Sequence, residues 1–125
     1  MILDTCALLW LAQGGGRLSA NALRRIASAP AVYVSAISGF EVGIKHRKGK
    51  LSLPAQPADW FEAILEHHDI HSLPVDHHVA LRSSQLPAVH SDPVDRIIVA
   101  TAEQRGIAVV TGDAVFAEYG VEVVS

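Results

Sequence analysis

Residues 93–113 read PVDRIIVATAEQRGIAVVTGD, and this stretch decides the fold class of the chain. Its first part, residues 93–105, has a helical pattern that opens with proline and stops at Gly106, a residue type that commonly ends helices. Residues 107–111 follow at once as an apolar run, which is typical of a strand in a parallel sheet that helices cover on both faces. The stretch therefore predicts a helix-to-strand unit of an α/β fold.

The same alternation of short apolar runs and helix-length segments continues through the rest of the chain. Strands are predicted at residues 1–4, 31–35, 70–73, 107–111 and 121–124, and helices at residues 5–12, 20–28, 36–48, 58–68, 75–86 and 93–105, with a short helix at 113–119. This alternation predicts an α/β chain, a three-layer α/β/α sandwich whose central sheet is mostly parallel. We expect residues 1–125 to form one domain.

Composition narrows the class of protein before any site is considered. Half of the 125 residues are hydrophobic and 18% are charged, which excludes intrinsic disorder. The single cysteine, Cys6, cannot form an internal disulfide, and no basic segment precedes Asp4 as it would in a signal peptide. No apolar run reaches the ~18 residues of a membrane span. These features predict a cytoplasmic protein without a membrane anchor, and the net charge of −3 argues against nucleic-acid binding through bulk positive charge.

Five carboxylates are the most informative feature of the sequence. Asp4 comes directly after the first predicted strand, and Glu41 lies in the second turn of the helix that follows the second strand. Asp92 and Asp95 stand at the start of the helix at 93–105, and Asp113 follows the strand at 107–111. Because parallel strands end at one edge of a sheet, where α/β folds bind their ligands, we expect these carboxylates to converge there.

Helical periodicity supports this placement for Asp95. It lies within an apolar stripe that includes Val94, Ile98 and Val99, so its side chain is expected to point toward the sheet. Carboxylates that converge repel one another, and Mg²⁺ or Mn²⁺ removes the conflict because hard cations prefer oxygen ligands. One or two such ions can activate water and stabilise the leaving oxygen of a phosphodiester. The cluster therefore predicts a metal site for phosphodiester hydrolysis.

Each carboxylate also has a purely structural interpretation. These interpretations are an N-cap for Asp4 and Asp92, a helix-dipole partner for Asp95, an i,i+4 ion pair with Lys45 for Glu41, and a turn residue or cap for Asp113. A structural role for all five together is much less expected than for any one of them alone.

Four of the ten basic residues lie within residues 45–50, just beyond Glu41. They are Lys45, Arg47, Lys48 and Lys50. Beside a metal site they would contact RNA phosphates, and the alternative is a solvated helix end whose cations complement the helix dipole.

Other conspicuous side chains are predicted to be structural. Cys6 is expected to pack in the core, and the histidines between residues 67 and 78 are expected to lie at the surface. Trp10, Trp60 and Phe61 are expected to be core residues, with a groove for a partner helix as the alternative.

Four segments of the chain resemble a known family. They are residues 1–5 (MILDT) with Leu9 and Trp10, residues 35–45 (SAISGFEVGIK), residues 90–96 (HSDPVDR) and residues 111–113 (TGD). In this order they are similar to the motifs of PIN-domain ribonucleases and, within them, of VapC-type toxins from type II toxin–antitoxin pairs.

The resemblance implies a PIN fold, a parallel-sheet α/β/α sandwich, and Mg²⁺-dependent endoribonuclease cleavage of a structured RNA. It also implies a cognate antitoxin protein that blocks the site, and homodimer formation. In the mechanism that we expect, Asp4 and Asp95 hold the principal Mg²⁺, while Glu41 and Asp113 complete its shell or hold a second ion. Residue by residue, the resemblance assigns an acidic quartet to Asp4, Glu41, Asp95 and Asp113, an extra acidic position to Asp92, and hydroxyls near the site to Thr5, Ser38 and Thr111.

Two other function classes remain open at the level of sequence. A metal-dependent phosphatase or phosphoacceptor domain would also use Asp4, but the second aspartate that one such class needs two residues later is Cys6 here. A non-catalytic partner-binding module would use the acidic edge for docking only. The net charge is compatible with a nuclease. Five of the thirteen acidic residues are assigned to one site, and the rest of the chain then has ten basic and eight acidic residues.

Overall fold

Five short parallel strands form the centre of the computed structural model, which describes all residues 1–125. The strands are β1 (Ile2–Leu3), β2 (Val32–Ser35), β3 (Ile70–Leu73), β4 (Val109–Val110) and β5 (Val123–Val124). They lie in the order β3-β2-β1-β4-β5, with Ile2 of β1 in register with Tyr33 on one side and Val109 on the other. The sheet is thus parallel throughout, and the first strand of the chain is its central strand.

Six α-helices connect and cover the strands. They are α1 (Thr5–Ala12), α2 (Ala20–Ser28), α3 (Ala36–Arg47), α4 (Pro57–His68), α5 (His77–Gln85) and α6 (Pro93–Arg105), and a 3₁₀ helix follows at Ala114–Tyr119. Residues in α1, α2 and α4 pack with Leu3, Val34 and Val110 on one face of the sheet. Residues in α5 and α6 pack with Ile2 and Val109 on the other face. Consecutive strand residues point to opposite faces of the sheet, and here consecutive residues such as Ile2 and Leu3 are both apolar, so both faces are apolar. The predicted three-layer α/β/α sandwich is confirmed.

The predicted order of elements is confirmed throughout, and the differences are confined to element ends. Strands predicted at residues 1–4, 107–111 and 121–124 are paired over only two residues each. The helix predicted at 58–68 begins at Pro57, since a proline is tolerated in the first turn of a helix. The helix predicted at 75–86 begins at His77, because the side chain of Asp76 accepts a hydrogen bond from the backbone N–H of Val79 and caps it.

Polar side chains immediately before three of the helices fix where those helices begin. Asp4 follows β1 and caps α1, Ser35 ends β2 and caps α3, and Asp92 caps α6. At its other end α6 stops at Gly106, whose φ of 63° is the left-handed conformation that glycine adopts readily. None of the helices is long and apolar enough to cross a membrane.

Candidate active site

The carboxyl ends of β1 and β4 open onto a pocket of about 210 Å³. All five of the predicted carboxylates line it: Asp4, Glu41, Asp92, Asp95 and Asp113. The other lining residues are Thr5, Cys6, Trp10, Lys45, Gly112 and Phe116. The structure therefore brings together, from four separate parts of the chain, the acidic residues that the sequence placed at one edge of the sheet.

Asp4 is the most deeply placed carboxylate of the pocket, with 6% of its surface exposed. Its backbone N–H donates to the carbonyl of Val110, which ties it to β4, and its Oδ1 accepts from the N–H of Ala7 at 2.7 Å. Burial raises the pKa of Asp4 above its usual value, against the hydrogen bonds from Thr111 and Ala7 and in the same direction as the charges of Glu41 and Asp113. Asp4 is therefore both a helix cap and a carboxyl that is costly to ionise alone.

Asp95 carries the largest perturbation in the pocket. Its pKa is raised to about 6, first by burial and then by the negative charge of Asp92. The imidazole of His90 opposes this rise, with its Nε2 lying 2.9 Å from Oδ2 of Asp95. As the helical pattern predicted, Asp95 faces the site and not open solvent, with 21% of its side chain exposed.

His90 lies beside the carboxylates, although its sequence pattern predicted no role for it. Its Nε2 also lies 3.5 Å from Oδ2 of Asp113, and ligand atoms of His90, Asp95 and Asp113 all lie within 4.8 Å of one another. His90 is held from behind by the hydroxyl of Tyr119, which accepts from its N–H at 2.8 Å, and by Arg96, which donates to its carbonyl at 3.2 Å. In the sequence it is the first residue of the segment 90–96, two residues before the N-cap of α6.

Glu41 and Lys45 lie one turn apart on α3 and both face the pocket. Lys45 Nζ is 3.9 Å from Glu41 Oε2, with 40% and 15% of the two side chains exposed. The i,i+4 pair that was the structural alternative for Glu41 is thus present, but as a long contact. Because both residues also line the pocket, the ion pair does not remove either from the site.

The three predicted hydroxyls are all buried but occupy different places. Thr5 lines the pocket, and its hydroxyl lies 2.9 Å from that of Ser38, which joins the start of α1 to α3. Ser38 itself lies behind Thr5 and does not line the pocket. The hydroxyl of Thr111 accepts from the N–H of Asp113 at 3.0 Å and so fixes the turn that carries this carboxylate. The Thr5–Ser38 contact and the Thr111 hydroxyl thus hold the backbone segments that carry the carboxylates.

The basic residues predicted to contact phosphate are divided between two surfaces. Lys45 lines the carboxylate pocket, whereas Lys48 and Lys50 line an adjoining groove that also includes Lys45. Arg47 is exposed and lines neither. The helix-end alternative also fits, because α3 ends at Arg47 with Lys45, His46 and Arg47 in its last turn.

Two predictions about structural residues need correction. Cys6, expected in the core, is exposed and lines the pocket, because α1 starts at Thr5 and turns its second residue toward the carboxyl edge of the sheet. Trp10 also lines the pocket and packs so closely on Gly112 that an added Cβ there would lie 2.8 Å from the indole Cη2. By contrast, Trp60 is buried, as expected, with Phe61 partly buried against the core.

The donor set of the pocket fits a hard divalent cation. Carboxylate and hydroxyl oxygens dominate it, and burial, together with the charges of neighbouring acids, raises the pKa values of Asp4 and Asp95. Lys45 is the one lysine or arginine that lines the pocket. A bound divalent cation would supply the missing charge and favour the ionised form of both carboxyls.

Comparisons with known proteins agree with this geometry. A family model described as "PIN domain" matches residues 1–122. Ribonuclease VapC22 of Mycobacterium tuberculosis is 31% identical over 114 residues, which cover 90% of this chain and 86% of that protein.

Two solved structures share the fold at low sequence identity. VapC20 of Mycobacterium tuberculosis, described as a sarcin-ricin loop cleaving toxin, has a TM-score of 0.69 at 20% identity, over 96% of this chain and 95% of that one. VapBC2 from Rickettsia felis, bound to a DNA fragment from its promoter, has a TM-score of 0.72 at 14% identity, over 98% and 95% of the two chains. With a family model that spans nearly the whole sequence and a relative above 30% identity, the chain belongs to the PIN domain family, among its VapC-type members.

Proposed function

We propose that this chain is a Mg²⁺-dependent endoribonuclease that cleaves RNA phosphodiesters, and that it is the toxin of a type II toxin–antitoxin pair. The observation that carries the proposal is the pocket of five carboxylates in which burial and mutual repulsion raise the pKa of Asp4 and bring that of Asp95 to about 6. A set of acids that is poorly compensated by the protein itself is typical of a cation site. The identity to a VapC ribonuclease supplies the class of reaction.

Each carboxylate has a place in this proposal. Asp4 and Asp95 hold the principal Mg²⁺, for which Mn²⁺ can substitute, while Glu41 and Asp113 complete the set or hold a second ion, with Asp92 beside them. A divalent cation bound there supplies charge to stabilise the phosphodiester transition state and lowers the pKa of water.

Other residues, in the pocket and around it, position the reacting groups. Lys45 places a positive charge in the same pocket for an RNA phosphate, with Lys48, Lys50 and Arg47 further along the surface. His90 fixes the orientation of the Asp95 and Asp113 carboxylates through its Nε2. The Thr5–Ser38 hydrogen bond and the hydroxyl of Thr111 hold the backbone segments on which the carboxylates stand.

The direct test is RNA cleavage by the purified protein and by Asp4→Asn. Asparagine keeps the side-chain oxygen that caps α1 but removes the negative charge. We expect wild type to cleave RNA with Mg²⁺ and to stop with a chelator, and we expect Asp4→Asn to lose at least ~100-fold in kcat/KM. Cleavage products are followed on denaturing gels.

Asp76→Asn is the matched control, because Asp76 also caps a helix through its side chain but lies outside the pocket. It is expected to cleave RNA at the wild-type rate. Undiminished cleavage by Asp4→Asn would contradict the assignment of the site, and wild-type protein without metal-dependent cleavage would contradict the function.

The proposed partners are a cognate antitoxin, an RNA substrate and a second copy of the chain, in the cytoplasm. Solved structures with this fold include a toxin–antitoxin complex from Klebsiella pneumoniae, which supports the antitoxin. We expect expression of wild type, but not of Asp4→Asn, to arrest growth, and co-expression of the cognate antitoxin to restore it. Sedimentation equilibrium of the purified chain tests the homodimer.

The phosphoacceptor alternative is poorly supported by the structure. It requires Asp4 to attack phosphorus, yet Asp4 is 6% exposed and its Oδ1 is engaged by the Ala7 N–H. The non-catalytic alternative predicts no metal binding, which calorimetry with Mg²⁺ or Mn²⁺ distinguishes.

A further inference from the structure

A second groove adjoins the carboxylate pocket along α3. Its lining is Phe40, Glu41, Ile44, Lys45, Lys48, Lys50 and Val94. Glu41 and Lys45 line both the pocket and the groove, so that one surface runs from the carboxylates to the basic end of α3. A polymer bound at the pocket would therefore continue directly into this groove.

Phe40 is the most exposed large apolar side chain of the protein, with 60% of its surface exposed. Ile44 follows it at i+4 and Val94 lies across the groove, so the aromatic ring stands in a partly apolar setting. At i+3 stands Gly43, where an added Cβ would meet nothing within 4 Å. Glycine disfavours a helix, and no neighbouring atom in the chain requires a glycine at position 43. The missing side chain leaves open space beside the ring of Phe40.

The charges around Phe40 indicate what could cover it. Lys48 and Lys50 are exposed and take part in no salt bridge, and Lys45 has only the 3.9 Å contact with Glu41. Three lysines beside an exposed aromatic ring form the combination that proteins use for single-stranded nucleic acid, in which cations contact the backbone and bases stack on the ring. An apolar partner surface alone would leave these lysines without a function.

We propose that Phe40 is a stacking platform for an unpaired base of the RNA substrate, next to the cleavage site, with the flanking phosphates on Lys48 and Lys50. The base must be unpaired, because the face of a paired base is already covered by its neighbours in the duplex. This proposal rests on the proposed ribonuclease function and adds a substrate subsite to it.

The test compares single-stranded RNA cleavage by four proteins. Phe40→Ala is expected to raise KM about tenfold, in keeping with the loss of one base–aromatic stack. Phe40→Trp retains a π-face and is expected to keep the wild-type KM, whereas Phe40→Leu retains apolar area without a π-face and is expected to behave like Phe40→Ala. Leu81→Ala is the matched control, since Leu81 is 59% exposed on α5 and lines neither surface.

A second measurement separates this proposal from the ribonuclease function. RNA that carries 2-aminopurine at one unpaired position is titrated with Asp4→Asn and with Asp4→Asn combined with Phe40→Ala. If Asp4→Asn quenches the 2-aminopurine fluorescence and the double variant does not, the result supports stacking on Phe40, even if wild type fails to cleave. A wild type that cleaves while Phe40→Ala leaves both KM and quenching unchanged overturns the stacking proposal and leaves the ribonuclease function standing.

Two further results would reassign the groove and overturn the proposal. If Phe40→Ala dissociates a dimer in sedimentation equilibrium while RNA kinetics stay unchanged, the groove is an interface between copies of the chain. If Phe40→Ala loses binding of the antitoxin while RNA kinetics stay unchanged, a protein partner covers it.

Discussion

Arg96 and Asp95 are neighbours on α6, but their charged groups have opposite surroundings: Arg96 is hydrogen-bonded to backbone carbonyls, whereas Asp95 lies among other acids. The guanidinium of Arg96 donates five hydrogen bonds, at 2.8–3.2 Å, to backbone carbonyls in the last turn of α5 and in the segment between α5 and α6. The carbonyls belong to Ser83, Leu86, Pro87 and His90. The carboxyl of Asp95 lies 2.9 Å from Nε2 of His90 and close to Asp92, and burial first and the charge of Asp92 second raise its pKa to about 6.

The contrast distinguishes a charge that stabilises the fold from one that is kept for a ligand. Arg96 donates to carbonyl groups of α5 and of the segment that follows it, and it thereby holds His90 beside the carboxylates. Asp95 stays costly to ionise until a cation arrives, which is typical of a functional site. The two residues therefore predict opposite signs for the effect of neutralising them on stability.

The largest effect on stability is expected for Arg96→Ala. We expect the free energy of unfolding to fall by about 3 kcal/mol, because several carbonyls of the connecting segment lose a charged donor. Urea denaturation of the metal-free protein measures it. Arg82→Ala is the control, since its ion pair with Glu103 is exposed and is expected to contribute less than about 1 kcal/mol. Equal losses in the two variants would contradict the structural role of Arg96.

Asp95→Asn is expected to act in the other direction. Without metal, we expect it to raise the free energy of unfolding by about 2 kcal/mol, because the carboxyl whose pKa is raised by burial no longer has to ionise. Asp59→Asn is the control, since Asp59 is an exposed acid in the first turn of α4, which likewise begins with proline. It is expected to change stability by less than about 0.5 kcal/mol. Destabilisation by Asp95→Asn in metal-free buffer would contradict the account.

The stability difference between wild type and Asp95→Asn is expected to depend on pH with a definite sign. The folded pKa of Asp95 is about 6 and its ordinary value is 3.8, so between these values the folded state holds the proton more tightly. Wild type should therefore lose stability relative to the variant as pH rises from about 4 to 6, with little difference below that range and a constant one above it. Urea denaturation at several pH values measures the slope, and a slope of opposite sign contradicts the assignment.

The smallest effect on the free energy of unfolding is expected for substitutions of Asp92, which both caps α6 and lines the pocket. Its Oδ1 accepts from the N–H of Val94 at 2.9 Å and caps α6, while its charge raises the pKa of Asp95. Asp92→Ala should cost about 1 kcal/mol of stability through loss of the cap, whereas Asp92→Ser keeps a capping oxygen and should change stability by less than about 0.5 kcal/mol. Both variants should lower the pKa of Asp95, which NMR titration of its carboxyl carbon measures.

The part of the site that follows from strand ends could be predicted from the sequence. Asp4 comes directly after an apolar strand, Asp113 follows another after Thr111 and Gly112, and Asp95 lies in a helical stripe, so local patterns place them. His90 could not be found in this way, because contacts with Tyr119 and Arg96 fix it, and these depend on how the chain packs. Cys6 was wrongly placed in the core because an apolar helix next to a central strand does not by itself show which residue faces the open edge.

The most direct test of the account is the thermal stability of wild type and Asp95→Asn during titration with Mn²⁺ or Mg²⁺. We expect the cation to raise the Tm of wild type, because binding to the folded state stabilises it, and to raise that of Asp95→Asn much less. Without cation the order is reversed, with Asp95→Asn the more stable of the two. If the cation leaves wild type unchanged at millimolar concentration, or shifts both proteins equally, then the carboxylates do not form a cation site and the central claim is contradicted.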